Sequence, residues 1–369
     1  MDEQTRLDRR VLLVIATTTG GTGRHVRVLA DALAKRGRGV TIAGPRATNE
    51  QFDFSAAGAL FVPAEIGGRP TLSAVRALRI VRRLARDHDL VHAHSLRAGA
   101  VAALAVGRTR PLLVTWHNAV LAQGRARAAY AGLERFVARR ATATLCVSSD
   151  LVERVRNLGG RDVALAPVSA PAMPPATVDP DDVRKALGAS GRPLVLSVGR
   201  LHAQKGFGYL IAAASLLAER DPQPLFVVAG DGPACADLEH QIAASGAPVH
   251  LLGNRHDIPD LLQAADLMAL SSVWEGSPLA VSECLRAGTP FVGTSVGGVP
   301  DMVGDAGLLV PAGDPAKLAD AIARVLDSTD LARELRERAH DAAAHLPTDA
   351  SVAEQVVASY ERLLVGDVE

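Results

Sequence analysis

Cysteine is scarce in this sequence. The three cysteines of the 369-residue chain, Cys146, Cys235 and Cys284, are far apart, and each lies in or beside an apolar stretch. No Cys-x-x-Cys pair occurs, so neither a zinc knuckle nor a disulfide framework is indicated, and a reducing, cytoplasmic compartment is expected. No charge of one sign dominates either, because forty basic residues offset forty acidic ones. A neutral chain exerts no global pull on nucleic acid, and no nucleic-acid partner is expected. Eighteen consecutive apolar residues occur nowhere, which excludes a helical membrane span. The opening segment, MDEQTRLDRR, is polar and runs directly into a strand pattern, unlike a signal peptide.

What is present is an ordinary soluble balance, 48% hydrophobic and 22% charged. The length favours two domains over one core. Short β-branched runs alternate with longer Ala/Leu/Arg-rich helical patterns. RVLLVIAT reads as a strand and GRHVRVLADALAKRG as the helix after it, closed by Gly37. GVTIAGP, DLVHAHS, PLLVTWHN and ATLCVSS read as further strands, and TLSAVRALRIVRRLARD as a helix capped by Thr71 or Ser73. This rhythm predicts a parallel sheet covered on both faces. Residues 166–182 then hold five prolines in seventeen positions, which stops regular structure. The rhythm restarts with PLVLSVGR, LFVVAG, VHLLG, LMALSS, TPFVGTS and GLLVP. The expected architecture is α/β: two doubly wound, Rossmann-like domains facing each other across a cleft. The first covers 1–170, a Pro-rich linker 171–182, and the second 183–347. In the tail, Ala353, Val356, Val357 and Tyr360 are spaced for one helix face, so a helix over about 348–365 is expected to pack back on the first domain.

Ligands of such folds bind outside the carboxyl ends of the strands, so residues at those ends carry the functional information. TTTGGTGRHV, residues 17–26, puts a glycine loop between the first strand and first helix, where backbone N–H groups can meet an anion. A dinucleotide fingerprint fails here. Val26 stands where a third glycine belongs, and the second strand ends without an acid to hold a ribose. A tight turn, or a loop meeting a phosphate or sugar, remains. In SVGRLHAQKGFGYLI, Arg200 and Lys205 stand in a loop ahead of a helix expected near Gly206. Two cations beside a helix N-terminus suit a diphosphate, although a solvated arginine at a strand end is equally ordinary.

SSVWEGSPLAVSECLRAGTP, residues 271–290, sets Glu275 and Glu283 eight positions apart. Glu275 falls in a turn, where it is expected to be exposed to a ligand. Ser277 is expected to cap the following helix and Pro278 to fill its first turn. Glu283 sits within that apolar helix, where burying a carboxylate is costly. A carboxylate accepts two hydrogen bonds from a pair of hydroxyls, as on a ribose or hexose. The alternative is an ion pair between Glu283 and Arg286.

EGSPLAVSE resembles the Glu-x7-Glu motif of retaining glycosyltransferases of the GT-B fold. The glycine loop, the Arg-Lys loop and TSVGGVPDMV follow in that family's order, and the chain is similar to family-4 glycosyltransferases over nearly its whole length, most strongly from 195 to 315. The resemblance implies transfer of a hexosyl unit from a UDP- or GDP-sugar, with no cofactor, to an acceptor that the sequence does not identify. It implies that Glu275 contacts the donor sugar's hydroxyls and Glu283 the ribose hydroxyls. The backbone of Gly276, Ser277, Pro278 and Leu279 would meet the sugar and distal phosphate, and Arg200 and Lys205 the diphosphate. Asn254 and Arg255 fall where relatives hold the base. Gly21 and Thr22 would close on the phosphates or the sugar, and Gly230 lies in a turn, GDGP, that lines the donor site. His117, in VTWHN, matches a histidine near the sugar's reacting face, although a histidine at a strand end is often only polar lining.

Breaking a glycosyl–phosphate bond leaves charge on the departing nucleotide. Many sugar transferases stabilise it with a divalent metal held by an Asp-x-Asp pair, and this chain has no such pair at a strand end. DPDD at 179–182 reads as a helix cap in the linker. Arg200, Lys205 and helix ends can carry that charge, so no metal is expected. Three departures from the family pattern stand out. APVSAPAMPP replaces an Asn-Gly-x-Asp turn, Asp301 replaces a glutamate after Gly-Gly-x-Pro, and Ser277 stands where aromatics are common.

The acceptor is expected around 17–25, 52–70, 92–97 and 117–130. His92 and His94 share one side of a strand, but a metal site needs a third ligand that spacing does not reveal. RALRIVRRLARD and GRARAAYAGLERFVARR are basic helices, so a weak peripheral contact with the inner face of the cell membrane stays open beside the simpler reading of solvated faces. A nucleotide-sugar epimerase of the same fold and a catalytically silent nucleotide-sugar binder are the competing functions.

Overall fold

The computed structural model describes residues 9–67, 72–121 and 124–365. The chain forms two compact units. One ends at Ser169 and resumes at Pro347, and the other is Ala170–Leu346.

The first unit is built on seven strands, β1 (Arg10–Ile15), β2 (Gly39–Gly44), β3 (Leu60–Pro63), β4 (Leu90–His94), β5 (Leu112–Trp116), β6 (Ala143–Cys146) and β7 (Val163–Leu165). All pair in parallel, in the order β3-β2-β1-β4-β5-β6-β7. Five of these strands follow the sequence pattern, while β3 and β7 were not expected. Each is only three or four residues long, lies at an edge of the sheet and runs straight into a proline-containing stretch, so its short apolar run does not stand out as a strand. β1, β4 and β5 are buried on both faces almost throughout, as a parallel sheet under helices requires.

The helix Gly21–Lys35 follows β1, and Gly37, at φ 72°, ends the turn after it. The helix expected over 71–87 is Leu72–Arg86. Ser73 therefore lies inside its first turn, and Thr71 lies outside the described residues. The helix Asp349–Val365 belongs to this unit. Ala353, Val356 and Tyr360 are buried among Val26, Leu29 and Leu33 of the first helix, and Val357 is half-buried. Polar contacts fix it as well. Tyr360 Oη lies 2.7 Å from His92 Nδ1, and Arg24 bridges Asp349 at 3.0 Å and the Ser169 carbonyl at 2.9 Å.

The second unit has six strands, β8 (Leu194–Val198), β9 (Leu225–Ala229), β10 (Val249–Gly253), β11 (Leu267–Leu270), β12 (Phe291–Thr294) and β13 (Gly307–Val310). They too pair in parallel, in the order β10-β9-β8-β11-β12-β13, and all six follow the sequence pattern. The proline-rich stretch is strapped to this unit, not free. Arg286 Nη1 donates to the carbonyls of Ala170 and Pro171, and the buried Asp260 accepts from the N–H groups of Thr177 and Val178 at 2.6 and 2.9 Å. Asp179 caps the helix Pro180–Leu187 by accepting from Asp181 N–H at 2.9 Å.

The basic helices bind backbone with some of their arginines. Arg82 donates to the carbonyls of Leu104 and Ala105, which end the helix Leu96–Val106. Among the described residues, no helix is long and apolar enough to cross a membrane.

Candidate functional site

Strand order reverses direction once in each sheet, between β1 and β4 and between β8 and β11. Loops leaving adjacent strands at such a point part company, one to each side, and open a crevice. In the second unit the loops are 199–206, after β8, and 271–278, after β11. They are knitted together. Val273 N–H donates to the Gln204 carbonyl at 2.8 Å, Gln204 Nε2 donates to the Trp274 carbonyl at 2.8 Å, and Ser271 Oγ donates to the Lys205 carbonyl at 3.0 Å.

Glu275 is buried at 5% exposure, not exposed as expected. Its Oε1 accepts from Lys205 Nζ and from Ser272 Oγ, each at 2.6 Å. The Lys205 side chain is itself 19% exposed, so this is a largely desolvated ion pair with a second, neutral donor. Burial of a lone carboxylate here would be costly, and the two donors offset that cost. The backbone is held from the other side. Gly298 N–H donates to the Glu275 carbonyl at 3.1 Å, and at Gly297, φ 53°, a Cβ would stand 1.7 Å from that same oxygen. Thus TSVGGVP is the seat of the Glu275 turn, and its first glycine cannot be replaced without moving it.

The helix after this turn is Leu279–Ala287, with Pro278 at its N-cap. Ser277, expected as the cap, precedes it by one position, and its hydroxyl meets Met302 Sδ at 3.9 Å. The helix register decides this, since Val281 N–H already bonds the Pro278 carbonyl at 3.1 Å. Glu283 lies one turn into the helix, half-buried. Arg286 is spent on the carbonyls of Ala170 and Pro171, so the Glu283–Arg286 ion pair does not form. Among the described residues Glu283 has no salt bridge, and burial raises its pKa above the usual glutamate value, with Arg286 a smaller opposing influence. A half-buried carboxylate with nothing to accept from is ready for a ligand's hydroxyls.

Arg200 is exposed and makes no ion pair among the described residues. The loop continues through the short 3-10 turn Ala203–Lys205, and the next helix is Phe207–Leu216, one residue beyond the expected start. Gly230 is pressed onto this loop, where a Cβ would stand 1.9 Å from the Gly199 carbonyl, and Leu201 N–H donates to Asp231 O at 3.0 Å. Asn254 and Arg255 follow β10 and are exposed. The Arg255 guanidinium is paired with both oxygens of Asp257.

In the first unit, Gly21 opens its helix and faces open space, with nothing within 4 Å of a built Cβ. Gly23 is different. A Cβ there would meet the Phe52 ring at 2.2 Å, so this glycine serves packing. Thr22 lines a cavity of about 410 Å³ beside the β1/β4 reversal, together with residues 16–18, 94–97, 118–121 and Tyr130. Of the expected acceptor segments, parts of 17–25, 92–97 and 117–130 line this cavity. Residues 52–67 do not, and 68–70 lie outside the described residues.

His117 is buried, and its Nε2 lies 3.2 Å from His94 Nδ1. His25 completes a group of three imidazoles whose ligand atoms lie within 4.8 Å of one another. The third histidine that spacing could not supply therefore comes from the first helix, and it joins His94 and His117. His92 is instead engaged by Tyr360 and by Thr115, both at 2.7 Å. Burial holds all four imidazoles neutral, with His25 lowered to about 4 and the others well below the usual range. Among the described residues, both nitrogens of His25 and Nε2 of His94 have no hydrogen-bond partner.

Two Rossmann-like units, with cations, a helix head and two carboxylates gathered at the strand ends of the second, define a glycosyltransferase of the GT-B type. Comparison with known proteins agrees. Residues 20–171 match the glycosyl transferase 4-like domain, and residues 192–328 match the glycosyl transferases group 1 domain. The D-inositol 3-phosphate glycosyltransferase of Salinispora arenicola is 33% identical over 305 residues, 73% of this chain and 68% of that one. The alpha-D-kanosaminyltransferase of Streptomyces kanamyceticus is 38% identical over 172 residues, which span 45% of this chain and only 44% of that relative. The crystal structure of Anabaena HepE in complex with UDP shares the fold, with a TM-score of 0.80 at 21% identity over 96% of this chain and all of that one. The chain belongs to the family-4 glycosyltransferases.

Proposed function

We propose that this enzyme moves a hexosyl unit from a nucleoside-diphosphate sugar to a small hydroxylated acceptor, with retention at the anomeric carbon and without a metal ion. The observation that carries this reading is the Lys205–Glu275–Ser272 group at the β8/β11 reversal, with the unpartnered Glu283 one helical turn further on. A structural neighbour was crystallised with UDP, which supports a uridine donor; GDP fits the same residues.

In this reading Arg200, Lys205 and the backbone N–H groups of Gly276, Ser277 and Leu279 hold the diphosphate. Glu275 takes the sugar hydroxyls and Glu283 the ribose hydroxyls. Asn254 and Arg255 meet the base through backbone groups, and the Gly230 turn backs the phosphate loop. Gly21 and Thr22 are assigned to the donor by resemblance alone. The bond from the anomeric carbon to the diphosphate oxygen breaks, and its electron pair leaves with the nucleotide. The acceptor hydroxyl oxygen takes that carbon, and its proton goes to the departing phosphate. Arg200 and Lys205 offset the charge that develops there, the work a metal does elsewhere. His117, neutral and turned to His94, orients that imidazole.

A thermal-shift panel of UDP, GDP, ADP, TDP and NAD in EDTA tests the reading. A ligand at a hundred times its dissociation constant adds about 2.7 kcal/mol of stability. Stabilisation by one nucleoside diphosphate supports the donor site. A response to NAD alone, or to none, overturns it.

A further inference from the structure

Three imidazoles meet inside the first unit, one from each of three places in the fold. His25 comes from the helix Gly21–Lys35, His94 from the carboxyl end of β4, and His117 directly follows β5. All three are buried. Ring centroids stand 5.5 Å apart for His25 and His94, 5.1 Å for His25 and His117, and 5.5 Å for His94 and His117. Imidazoles that share one tetrahedral ion, each bound through a nitrogen at about 2.0–2.1 Å, have ring centres about 5 Å apart. One nitrogen from each ring lies within 4.8 Å of the other two, and His94 Nδ1 and His117 Nε2 are 3.2 Å apart. Two nitrogens on such an ion are separated by about 3.4 Å, so a side-chain shift of about 1–1.5 Å closes the set.

The surroundings leave one ring unused. Among the described residues His25 has no hydrogen-bond partner at either nitrogen. This holds in either tautomer, since a neutral imidazole always carries one donor and one lone pair. His92 is the contrast. Its ring centroid is 4.1 Å from that of His94, yet both its nitrogens are engaged, by Tyr360 and Thr115. Burial keeps His25, His94 and His117 neutral, the form of imidazole that binds a metal.

The ligand set also selects the ion. Three nitrogens and no carboxylate suit a borderline cation such as zinc, and do not suit magnesium or calcium, which take oxygen. His94 lines the cavity beside the β1/β4 reversal, so water from that side can complete a tetrahedron. No carboxylate is hydrogen-bonded to the three rings among the described residues, which makes the site weaker than one with a full outer shell.

We propose that His25, His94 and His117 form a reversible binding site for a zinc-class divalent cation, which ties the first helix to the ends of β4 and β5. The site goes beyond the transferase chemistry and does not depend on it. The charge that develops on the nucleotide is met in the second unit, so transfer needs no ion here.

The test uses the full chain without a histidine tag, stripped by a chelator and titrated with cobalt(II) as the probe. Tetrahedral cobalt is expected to give visible absorption that saturates at one ion per chain, that zinc then bleaches and that magnesium leaves unchanged. His25→Gln and His94→Gln are each expected to weaken cobalt binding at least roughly tenfold, since loss of a mere outer-shell partner already costs that much. Urea denaturation shows whether each variant folds. Where one does not, X-ray absorption of the zinc-loaded parent decides, with three imidazole nitrogens at about 2.0–2.1 Å and no sulfur expected. Absence of the cobalt absorption overturns the site and leaves His25 to a buried water. Binding that both folded variants retain, or a zinc spectrum with sulfur or with fewer than three imidazoles, puts the ion elsewhere and overturns the site as well.

Discussion

Lys205 Nζ lies 2.6 Å from Glu275 Oε1, across seventy residues of sequence, and both side chains are largely removed from water. The pair joins the loops that leave β8 and β11, so the cation proposed for the diphosphate and the carboxylate proposed for the sugar hold each other. Separating them leaves a partly buried charge on either side.

Removing the carboxylate is therefore expected to stop turnover and to spare the nucleotide. Glu275→Ala should lower transfer by at least about a hundredfold, the scale for loss of one stabilising group in a transition state. Calorimetry should find nucleoside-diphosphate affinity within a few-fold of the parent, because Lys205 is then free for phosphate. Undiminished transfer would remove Glu275 from the site.

Glu283 offers a pH signature. Burial raises its pKa above the usual glutamate value, so the folded chain favours the protonated form. The sign follows. Its contribution to stability is favourable in acid and is lost as pH rises through the raised pKa. Ribose hydroxyls prefer the ionised form as acceptor, so nucleotide affinity should fall as pH drops through that same pKa. Glu283→Gln should flatten this dependence, weaken binding roughly tenfold at neutral pH and slightly raise the melting temperature. A pH profile identical to the parent's would sink the assignment.

Chelation distinguishes charge supplied by residues from charge supplied by a metal. Transfer is expected to persist in EDTA, with rates within twofold of the untreated enzyme. Loss of activity that zinc restores, and that His25→Ala abolishes, would instead make an ion at His25, His94 and His117 necessary for transfer.

Tyr360 tests the terminal helix. Tyr360→Phe keeps the ring and leaves His92 Nδ1 buried without its partner, which should cost about 1–3 kcal/mol. Tyr360→Ala adds a cavity and should cost about 3–5 kcal/mol, the scale for deleting a large buried ring. Urea denaturation measures both, and equal midpoints for Phe and the parent would contradict the hydrogen bond.

Much of the fold is legible in the sequence because a parallel sheet demands apolar strands, and runs such as VLLVI and LFVVA are unmistakable. β3 and β7 escape notice because LFVP and VAL are short edge strands, partly exposed, whose apolar runs break at a nearby proline. In the site, the Glu-x7-Glu spacing points to Glu275 and Glu283, but the sequence says nothing of which is paired. Glu275 reads as exposed because a Gly-Ser-Pro turn follows it. Ser272 is a neighbour in sequence, but only the fold brings Lys205 to it. His25 goes unnoticed as a neighbour of His94 and His117 for the same reason: its partners are about seventy and ninety residues away, and no local period links them. Arg97 looks like any helix arginine until β1 and β4 part and open the cavity beside it.

The helix Asp349–Val365 completes the core of the unit that begins with β1. On the ribosome, β1 emerges well before Tyr360. At about 5–20 residues per second, the intervening second unit, Ala170–Leu346, takes roughly ten to thirty-five seconds to synthesise. Throughout that interval the first unit has an open groove where Ala353, Val356 and Tyr360 will lie, with His92 waiting in its floor. A premature stop before Asp349 would spare the second unit and leave the earlier one without its final layer. Of the two units, the one begun earlier is completed later.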